Sequence, residues 1–205
     1  MAQIIEGRAI ARKIKEQVAE NIKGLDTKPR FAVIQVGDNP ASSVYVRHKL
    51  NACREMGIET INAQLDDDVT KDSILGLVEG FNNTPSINGM LVQLPLPEHI
   101  RLEPVIEAIH PNKDVDGFHP LNVGRLTVRS NTPYLHPCTP WGIVHMLDTV
   151  YPKDKKTSGL QGKKIVVIGQ SLIVGRPLAV MLQNEGSTVT MCDKFTHDLY
   201  SEVSG

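Results

Sequence analysis

The sequence predicts an α/β fold with two domains, an N-terminal parallel α/β sheet and a C-terminal Rossmann-type dinucleotide-binding domain. Compact apolar runs alternate along the chain with segments whose apolar residues recur at helical spacing. A loop-rich, proline-containing stretch at residues 111–140 separates the two halves. A short apolar run and a glycine-rich turn then open the second half. We therefore place the first domain at residues 1–118 and the second at 119–205.

The first half of the chain is predicted to alternate between strands and helices. An amphipathic helix comes first, with its apolar stripe at Ile10, Ile14, Val18 and Ile22. Strands are predicted at residues 31–36, 58–65 and 87–94, and helices at 42–56, from 70 onward and at 105–109. Ser42 or Ser43 is expected to cap the second helix, Gly57 to end it and Thr70 to start the third. This alternation is typical of a parallel sheet covered by helices on both faces.

The second half of the chain is predicted to contain a βαβ unit. A helix is expected at residues 141–150, with Thr139 as its cap and Pro140 in its first turn. After a linker at 158–162, strands are predicted at 164–168 and 187–192, with a helix at 174–185 between them.

The composition indicates a cytoplasmic protein whose partner is a small molecule. The formal net charge of the 205 residues is -1, which gives no electrostatic attraction for nucleic acid or an anionic membrane. The three cysteines lack the spacing of a disulfide framework, and neither a signal peptide nor a membrane span is readable. The seven histidines show no paired metal-binding spacing, and the run Asp66–Asp68 is interpreted as a solvated loop, so no metal site is predicted.

The turn after the first strand of the second half is a candidate phosphate-binding loop. Gly169 would give the tight turn, Ser171 would hydrogen-bond a phosphate, and Gly175 would let the next helix approach the strand. The alternative is an ordinary tight strand-to-helix connection. A nucleophile elbow is excluded, because it requires glycine where Ile173 stands.

The end of the second strand of this βαβ unit carries two candidate specificity residues. Asp193 is placed to accept hydrogen bonds from a ribose 2′-hydroxyl, which favours NAD, whereas Lys194 would hold the 2′-phosphate of NADP. The alternative is that Asp193 and Lys194 are exposed residues at the end of a strand and bind no ligand.

Tyr45 and Lys49 are one helical turn apart and therefore share a helix face. A lysine on the apolar side of a helix is partly desolvated, which makes proton transfer near neutral pH feasible. The alternative is a surface lysine with a core tyrosine beneath it. Short-chain dehydrogenases share the Tyr-x-x-x-Lys pattern, but their glycine-rich loop precedes it, whereas here it follows.

Two further polar groups are candidates for a binding site. Gln93 ends a buried strand, where open α/β sheets bind ligands, and would orient a lysine or a substrate amide; a loop-capping role is the alternative. Asp116 lies in a polar turn, and a buried carboxylate there would suit the amidine-like edge of a pterin or purine ring. Ordinary turns also have this sequence.

The order and separation of these groups resemble one family, the bifunctional methylenetetrahydrofolate dehydrogenases/methenyltetrahydrofolate cyclohydrolases. The resemblance runs from Ile4 to about Thr190. Five motifs carry it: Ala41-Ser42-x-x-Tyr45-x-x-x-Lys49, Val92-Gln93-Leu94-Pro95-Leu96-Pro97, Lys113-Asp114-Val115-Asp116-Gly117, Pro137-Cys138-Thr139-Pro140 and Gly169-x-Ser171-x-Ile173-Val174-Gly175-x-Pro177.

The resemblance implies a cleft between the domains that takes a tetrahydrofolate derivative and NADP or NAD. It implies Lys49 as the general acid/base, Tyr45 as a ring that stacks on the substrate and Gln93 as the partner that orients Lys49. Asp116 would anchor the pterin, and Gly169, Ser171 and Gly175 would bind the dinucleotide. The implied activity is oxidation of 5,10-methylenetetrahydrofolate and hydrolysis of the product to 10-formyltetrahydrofolate, in a homodimer of one-carbon metabolism that serves purine, histidine and methionine biosynthesis.

The sequence departs from the family pattern near the adenosine end of the cofactor and at the C-terminus. Family members usually have arginine where Gln170 stands and His-Ser where Asp193 and Lys194 stand, so the choice between NADP and NAD stays open. The family's glycine-rich C-terminal segment and final helix are missing from the 205 residues, so we expect a truncated nucleotide domain with weak dehydrogenase activity. The alternative is a non-catalytic folate- or nucleotide-binding fragment or pseudoenzyme.

Overall fold

The computed structural model describes residues 4–154 and 157–204. These form two compact units, an N-terminal unit of Arg8–Val115 and a C-terminal unit of residues 116–204 together with 4–7. The functional domains 1–118 and 119–205 stay a prediction. None of the helices in the described residues combines the length and apolar composition that crossing a bilayer requires.

The N-terminal unit alternates helices and strands in the predicted order. Its elements are α1 (Gly7–Lys23, whose first residue lies outside the unit), β1 (Arg30–Val36), α2 (Pro40–Glu55), β2 (Glu59–Leu65), α3 (Lys71–Asn82), β3 (Gly89–Val92) and α4 (Leu102–Ala108). The strands form a parallel sheet in the order β2-β1-β3. The predicted parallel sheet is therefore confirmed, with β3 shorter than expected.

The central strand β1 is buried on both faces, which explains the apolar run at its residues 31–34. Ala32 and Ile34 pack in one cluster with Ile74 and Val78 of α3 and Val105 of α4. On the opposite face, Val33 and Leu91 pack with Val46 and Leu50 of α2. Helices therefore cover both faces of this sheet, as predicted.

The start of α2 differs from the prediction. Asn39, not Ser42 or Ser43, is its cap, because the Asn39 side-chain oxygen accepts hydrogen bonds from the backbone N–H groups of Ala41 and Ser42 at 3.0 and 3.1 Å. Pro40 occupies the first helical position, where its missing N–H costs nothing. The predicted cap Thr70 of α3 is confirmed, since its hydroxyl accepts from the Ser73 N–H at 3.2 Å.

The C-terminal unit contains the predicted βαβ unit. Its elements are α5 (Pro120–Thr127), α6 (Cys138–Val150), β4 (Lys164–Ile168), α7 (Gly175–Asn184), β5 (Thr188–Cys192) and α8 (Leu199–Ser204). Strands β4 and β5 pair in parallel. The core of this unit contains Val144, Leu160, Val167, Leu178 and Leu182.

Two helices of this unit were not predicted, and a third starts earlier than expected. Helix α5 lies inside the stretch interpreted as loop; it begins at Pro120 and is capped by the His119 ring, which accepts from the Leu121 N–H at 3.0 Å. Helix α6 begins at Cys138, so Thr139 is a residue of its first turn and not its cap. Helix α8 follows β5 near the end of the chain.

Lys113 closes the C-terminal end of α3. Its Nζ donates hydrogen bonds to the backbone carbonyl oxygens of Phe81, Asn82 and Thr84 at 2.9, 2.8 and 2.9 Å. A helix leaves its last carbonyl groups without intrahelical partners, and the negative end of its dipole favours a cation there. One lysine side chain therefore satisfies three carbonyl groups and ties the segment after α4 to α3.

Lys113→Met is expected to destabilise the N-terminal unit by about 2–4 kcal/mol, because three carbonyl groups lose a charged donor. Thermal unfolding followed by circular dichroism measures the loss. Lys71→Met is the matched control at the other end of α3, where an exposed lysine lies 3.9 Å from Asp72. Such a pair contributes roughly 0–1 kcal/mol. Equal unfolding temperatures for the two variants would contradict the assigned role of Lys113.

Candidate active site

The structure brings Lys49 and Gln93 together. Lys49 lies on α2 and Gln93 directly follows β3, and the Lys49 Nζ donates to the Gln93 Oε1 at 3.1 Å. The Gln93 side-chain nitrogen donates to the Leu94 carbonyl at 2.7 Å, and its backbone N–H donates to the Ile34 carbonyl at 2.8 Å. The bond to Leu94 holds the side-chain amide with its oxygen toward Lys49, and the bond to Ile34 ties the Gln93 backbone to the sheet. A half-buried lysine amine is thereby held at the carboxyl edge of the sheet.

Tyr45 presents its ring to solvent one helical turn before Lys49. The residue is 64% exposed, so it is not the core tyrosine of the alternative interpretation. An exposed aromatic ring beside a held lysine offers a flat surface on which a planar ligand can stack.

Asp116 follows a segment that continues the sheet. Asp114 forms a parallel bridge with Met90 of β3, and the Lys113 carbonyl accepts from the Met90 N–H at 2.7 Å. Asp116 itself is half-buried and belongs to the C-terminal unit. In that unit Gly117, with a φ of 69°, lies against the backbone of His136 and Pro137, where a side chain would collide. The backbone beside Asp116 therefore has little freedom.

The glycine-rich turn has the shape of a phosphate-binding loop. Gly169 has a φ of 105°, which favours glycine, and a Cβ on Gly175 would overlap the Gly169 carbonyl oxygen. The Ser171 hydroxyl oxygen accepts from the N–H groups of Val174 and Gly175 at 3.2 Å each. Gln170 contributes its carbonyl oxygen, which accepts from the Arg176 Nε at 3.1 Å. Backbone can thus approach a ligand closely at the start of α7, and the loop fits a dinucleotide.

Asp193 and Lys194 lie at the end of β5, beside this turn. The Gly169 N–H donates to the carbonyl oxygen of Cys192 at 2.8 Å, which places the two strand ends side by side. An Asp193 carboxylate oxygen accepts from the Phe195 N–H at 2.8 Å, and the Lys194 Nζ lies 4.9 Å from the centre of the Phe195 ring. The acid is therefore held in a fixed turn at the position predicted for a ribose contact.

Among the described side chains outside these groups, Cys53, His136 and Glu185 have shifted pKa values. Burial raises the pKa of the Cys53 thiol, against the smaller opposite effect of Arg54, so this cysteine is a poor nucleophile. Burial lowers the pKa of His136, which therefore carries no charge at neutral pH. In residues 4–154 and 157–204, no cluster of three histidine, cysteine or acidic side chains could hold a metal ion.

Gln35, a buried polar residue on the central strand, is not among the site residues predicted from the sequence. The signal that could have found it is the same as for Gln93: both glutamines stand at the carboxyl end of a buried apolar strand.

Family models match most of the chain. The model "Tetrahydrofolate dehydrogenase/cyclohydrolase, catalytic domain" matches residues 5–116, and the NAD(P)-binding domain model of the same family matches residues 137–205. The "Bifunctional protein FolD 2" of Geobacter metallireducens is 46% identical over 99% of this chain and 70% of its own length. The "Bifunctional protein FolD" of Pelobacter propionicus is 47% identical over 97% of this chain and 69% of its own length.

Solved structures agree with these matches. The bifunctional FolD enzyme of Campylobacter jejuni superposes with a TM-score of 0.89 at 42% identity, over 96% of this chain and 68% of that chain. The Trypanosoma brucei dehydrogenase-cyclohydrolase, crystallised with NADP cofactor and an inhibitor, gives a TM-score of 0.90 at 31% identity. The match covers 98% of this chain and 68% of that chain. This chain therefore belongs to the tetrahydrofolate dehydrogenase/cyclohydrolase family.

Proposed function

We propose that this protein oxidises 5,10-methylenetetrahydrofolate to 5,10-methenyltetrahydrofolate with NADP or NAD, and hydrolyses the product to 10-formyltetrahydrofolate. The hydrogen bond of 3.1 Å between the Lys49 amine and the Gln93 amide carries the proposal. It holds a lysine amine, a group able to transfer protons, at the edge where an open α/β sheet would bind its ligand. The family's catalytic-domain model, which spans both residues, supports the same assignment.

The folate substrate is assigned to the exposed ring of Tyr45 and to Asp116. The Tyr45 ring would stack on the substrate beside Lys49, since it is exposed one turn away. The Asp116 carboxylate would anchor the pterin by accepting two parallel hydrogen bonds from its amidine-like edge. Both contacts hold the substrate in position and do no chemistry themselves, which is how binding groups raise the rate of a subsequent step.

The dinucleotide is assigned to Gly169, Gln170, Ser171 and Gly175, with Asp193 and Lys194 at its adenosine end. The nicotinamide supplies the hydride acceptor when the cofactor is bound. The glycines let backbone N–H groups approach the pyrophosphate, and the N-terminus of α7 favours its negative charge. Asp193 would accept from a ribose 2′-hydroxyl of NAD, whereas Lys194 would pair with the 2′-phosphate of NADP.

Lys49 is assigned the proton transfers of the hydrolytic step. Water attacks the methenyl carbon and loses a proton, which gives a tetrahedral adduct at that carbon. The bond from this carbon to N5 then breaks, N5 receives a proton, and the hydroxyl of the adduct releases its proton to solvent as the carbonyl of 10-formyltetrahydrofolate forms. Lys49 would remove the first proton and deliver the second, and Gln93 would hold the amine toward the substrate by accepting its hydrogen bond.

A non-catalytic folate-binding protein would not require Lys49 to be held. Lys49 is half-buried and bound to the Gln93 side-chain amide, whose nitrogen donates to the Leu94 carbonyl while the Gln93 backbone is tied to Ile34. Such an arrangement resembles a supported catalytic group more than a surface lysine.

Two assays test the proposed function. In the first assay, reduction of the nicotinamide is followed at a saturating concentration of 5,10-methylenetetrahydrofolate, with NADP and NAD in parallel. In the second, the loss of methenyltetrahydrofolate absorbance measures hydrolysis. We expect hydrolysis well above the spontaneous rate, and reduction of at least one of the cofactors. A hydrolysis rate equal to that of buffer would refute the cyclohydrolase assignment. Folate that fails to bind would indicate an α/β dehydrogenase for another substrate.

We further propose a homodimer located in the cytoplasm. The family resemblance favours the dimer, and light scattering of the purified protein measures it. Cys53 and Cys192 are free thiols, which suits a reducing compartment.

A further inference from the structure

Three glutamines form a row across the carboxyl edge of the parallel sheet. Gln64 of β2 pairs in register with Gln35 of β1. On the other side, β1 and β3 pair through Ile34 and Val92, so Gln93 follows at the level of Gln35. Paired residues of neighbouring strands point to the same face of a sheet. Val33 and Leu91, two residues earlier on β1 and β3, pack against α2, so the row faces that helix.

Gln35 is the buried member of this row and binds α2. It is 3% exposed, and its side-chain nitrogen donates to the Ser43 Oγ at 2.9 Å. The Ser43 hydroxyl has a longer contact of 3.4 Å to a carboxylate oxygen of Asp38. A buried amide is costly unless it is hydrogen-bonded, so an apolar residue would be the cheaper choice for packing alone.

The two inner glutamines bind α2 at two separate points. Gln35 binds Ser43, in the first turn of the helix, and Gln93 binds Lys49, six residues later. At a rise of 1.5 Å per residue these points lie about 9 Å apart along the helix axis. Two fixed points on one rigid helix determine both its position along its axis and its rotation against the sheet.

We propose that Gln35 is a positioning residue that sets the place of α2 so that the Lys49 amine meets Gln93. The inference rests on the proposed role of Lys49 in hydrolysis. Gln35 acts through Ser43 and the helix, and not on the substrate. Its loss lets the helix move while the apolar contacts of Val46 and Leu50 remain. A shift near 1 Å at a catalytic group can lower a rate about 100-fold.

The test removes the hydrogen bond between Gln35 and Ser43 from each of its two sides. Gln35→Leu keeps the size of the buried side chain and removes the donor, and Ser43→Ala removes the acceptor on the half-buried helix residue. We expect each variant to lower kcat for methenyltetrahydrofolate hydrolysis about 10- to 100-fold and to change KM less than about twofold. The double variant should be no slower than the slower single variant, because both changes remove the same hydrogen bond.

Two further variants separate positioning from simple destabilisation. Ser43→Thr keeps the hydroxyl and should retain the kcat of the parent protein. Gln64→Leu is the matched control from the same row, since the Gln64 side chain donates to the Gly37 carbonyl at 2.6 Å and not to a helix side chain. Gln64 is exposed and its bond is to a backbone carbonyl, so the variant should leave kcat within about twofold of the parent value while still losing one side-chain hydrogen bond of the row.

Parent protein and Lys49→Met are measured beside these variants. Absence of hydrolysis by the parent protein would refute the proposed function itself, and full activity of Lys49→Met would refute the role of Lys49 on which the inference rests. Hydrolysis that needs Lys49 but is unchanged by Ser43→Ala and by Gln35→Leu would overturn the positioning role alone. An equal fall in kcat for Gln64→Leu would also overturn it, because the effect would then reflect general loosening of the sheet edge.

Discussion

Lys49→Met is expected to lower the rate of methenyltetrahydrofolate hydrolysis by about 10²–10⁴-fold, the usual contribution of a positioned general acid/base. Methionine has a similar length but cannot carry a proton. Tyr45 remains exposed one turn away, so binding of the folate should persist. Stopped-flow loss of methenyltetrahydrofolate absorbance gives the rate, and equilibrium dialysis of the same substrate gives the affinity.

Lys15→Met provides the control for this substitution. Lys15 lies on α1 and pairs with Glu55 at 3.1 Å, with both side chains well exposed. An exposed pair of this kind contributes at most about 1 kcal/mol, so hydrolysis should be unaffected. If Lys49→Met hydrolysed its substrate at the parent rate, Lys49 would have no part in proton transfer. If it lost folate binding as well, its role would be substrate binding.

The contact between Lys49 and Gln93 illustrates what the sequence can predict. The two residues are 44 positions apart. Cap and stop residues located α2, a compact apolar run located β3, and the rule that strand ends gather at one edge of a parallel sheet placed Gln93 near a ligand site. Such rules act on whole elements, so they also predicted the parallel sheet, the position of Gly169 after β4 and that of Gly175 at the start of α7.

The partners of Gln35 and Lys113 show what such rules cannot predict, although the strand-end rule could have located Gln35 itself. Their roles depend on single atoms: the Ser43 hydroxyl for Gln35, and three carbonyl oxygens at the end of α3 for Lys113. A glutamine inside an apolar run contributes little to periodicity, and a lysine in a polar turn looks like a solvated residue. The partner atoms are known only once the register of the strands and the ends of the helices are known.

The start of α2 was predicted wrongly, and α5 was missed, for a related reason. Several polar residues near the start of α2 can act as caps, and sequence alone does not decide which of Asn39, Ser42 and Ser43 has the extended backbone that a cap needs. At α5 the cap is a histidine ring, which lies outside the usual set of cap residues, so the whole short helix was interpreted as loop.

Gly175→Ala is expected to weaken dinucleotide binding by about 10- to 100-fold, because overpacking of a close contact costs about 1–3 kcal/mol. The added Cβ would overlap the Gly169 carbonyl oxygen, and both groups belong to the backbone of the phosphate-binding turn. Neither can rotate away as a side chain would, so the turn and the start of α7 must separate. Isothermal titration with NADP and NAD measures the loss.

Gly142→Ala is the matched control in the same unit. Gly142 lies inside α6, and a Cβ there meets nothing within 4 Å, so cofactor affinity should be unchanged and stability slightly higher. The assigned residues Lys49, Gln93 and Tyr45 belong to the N-terminal unit, so Gly175→Ala should also keep its hydrolysis rate. Reduction of nicotinamide would then fall while hydrolysis continues. Equal losses of both activities would mean that Gly175 supports the fold of the whole chain and not the cofactor loop in particular.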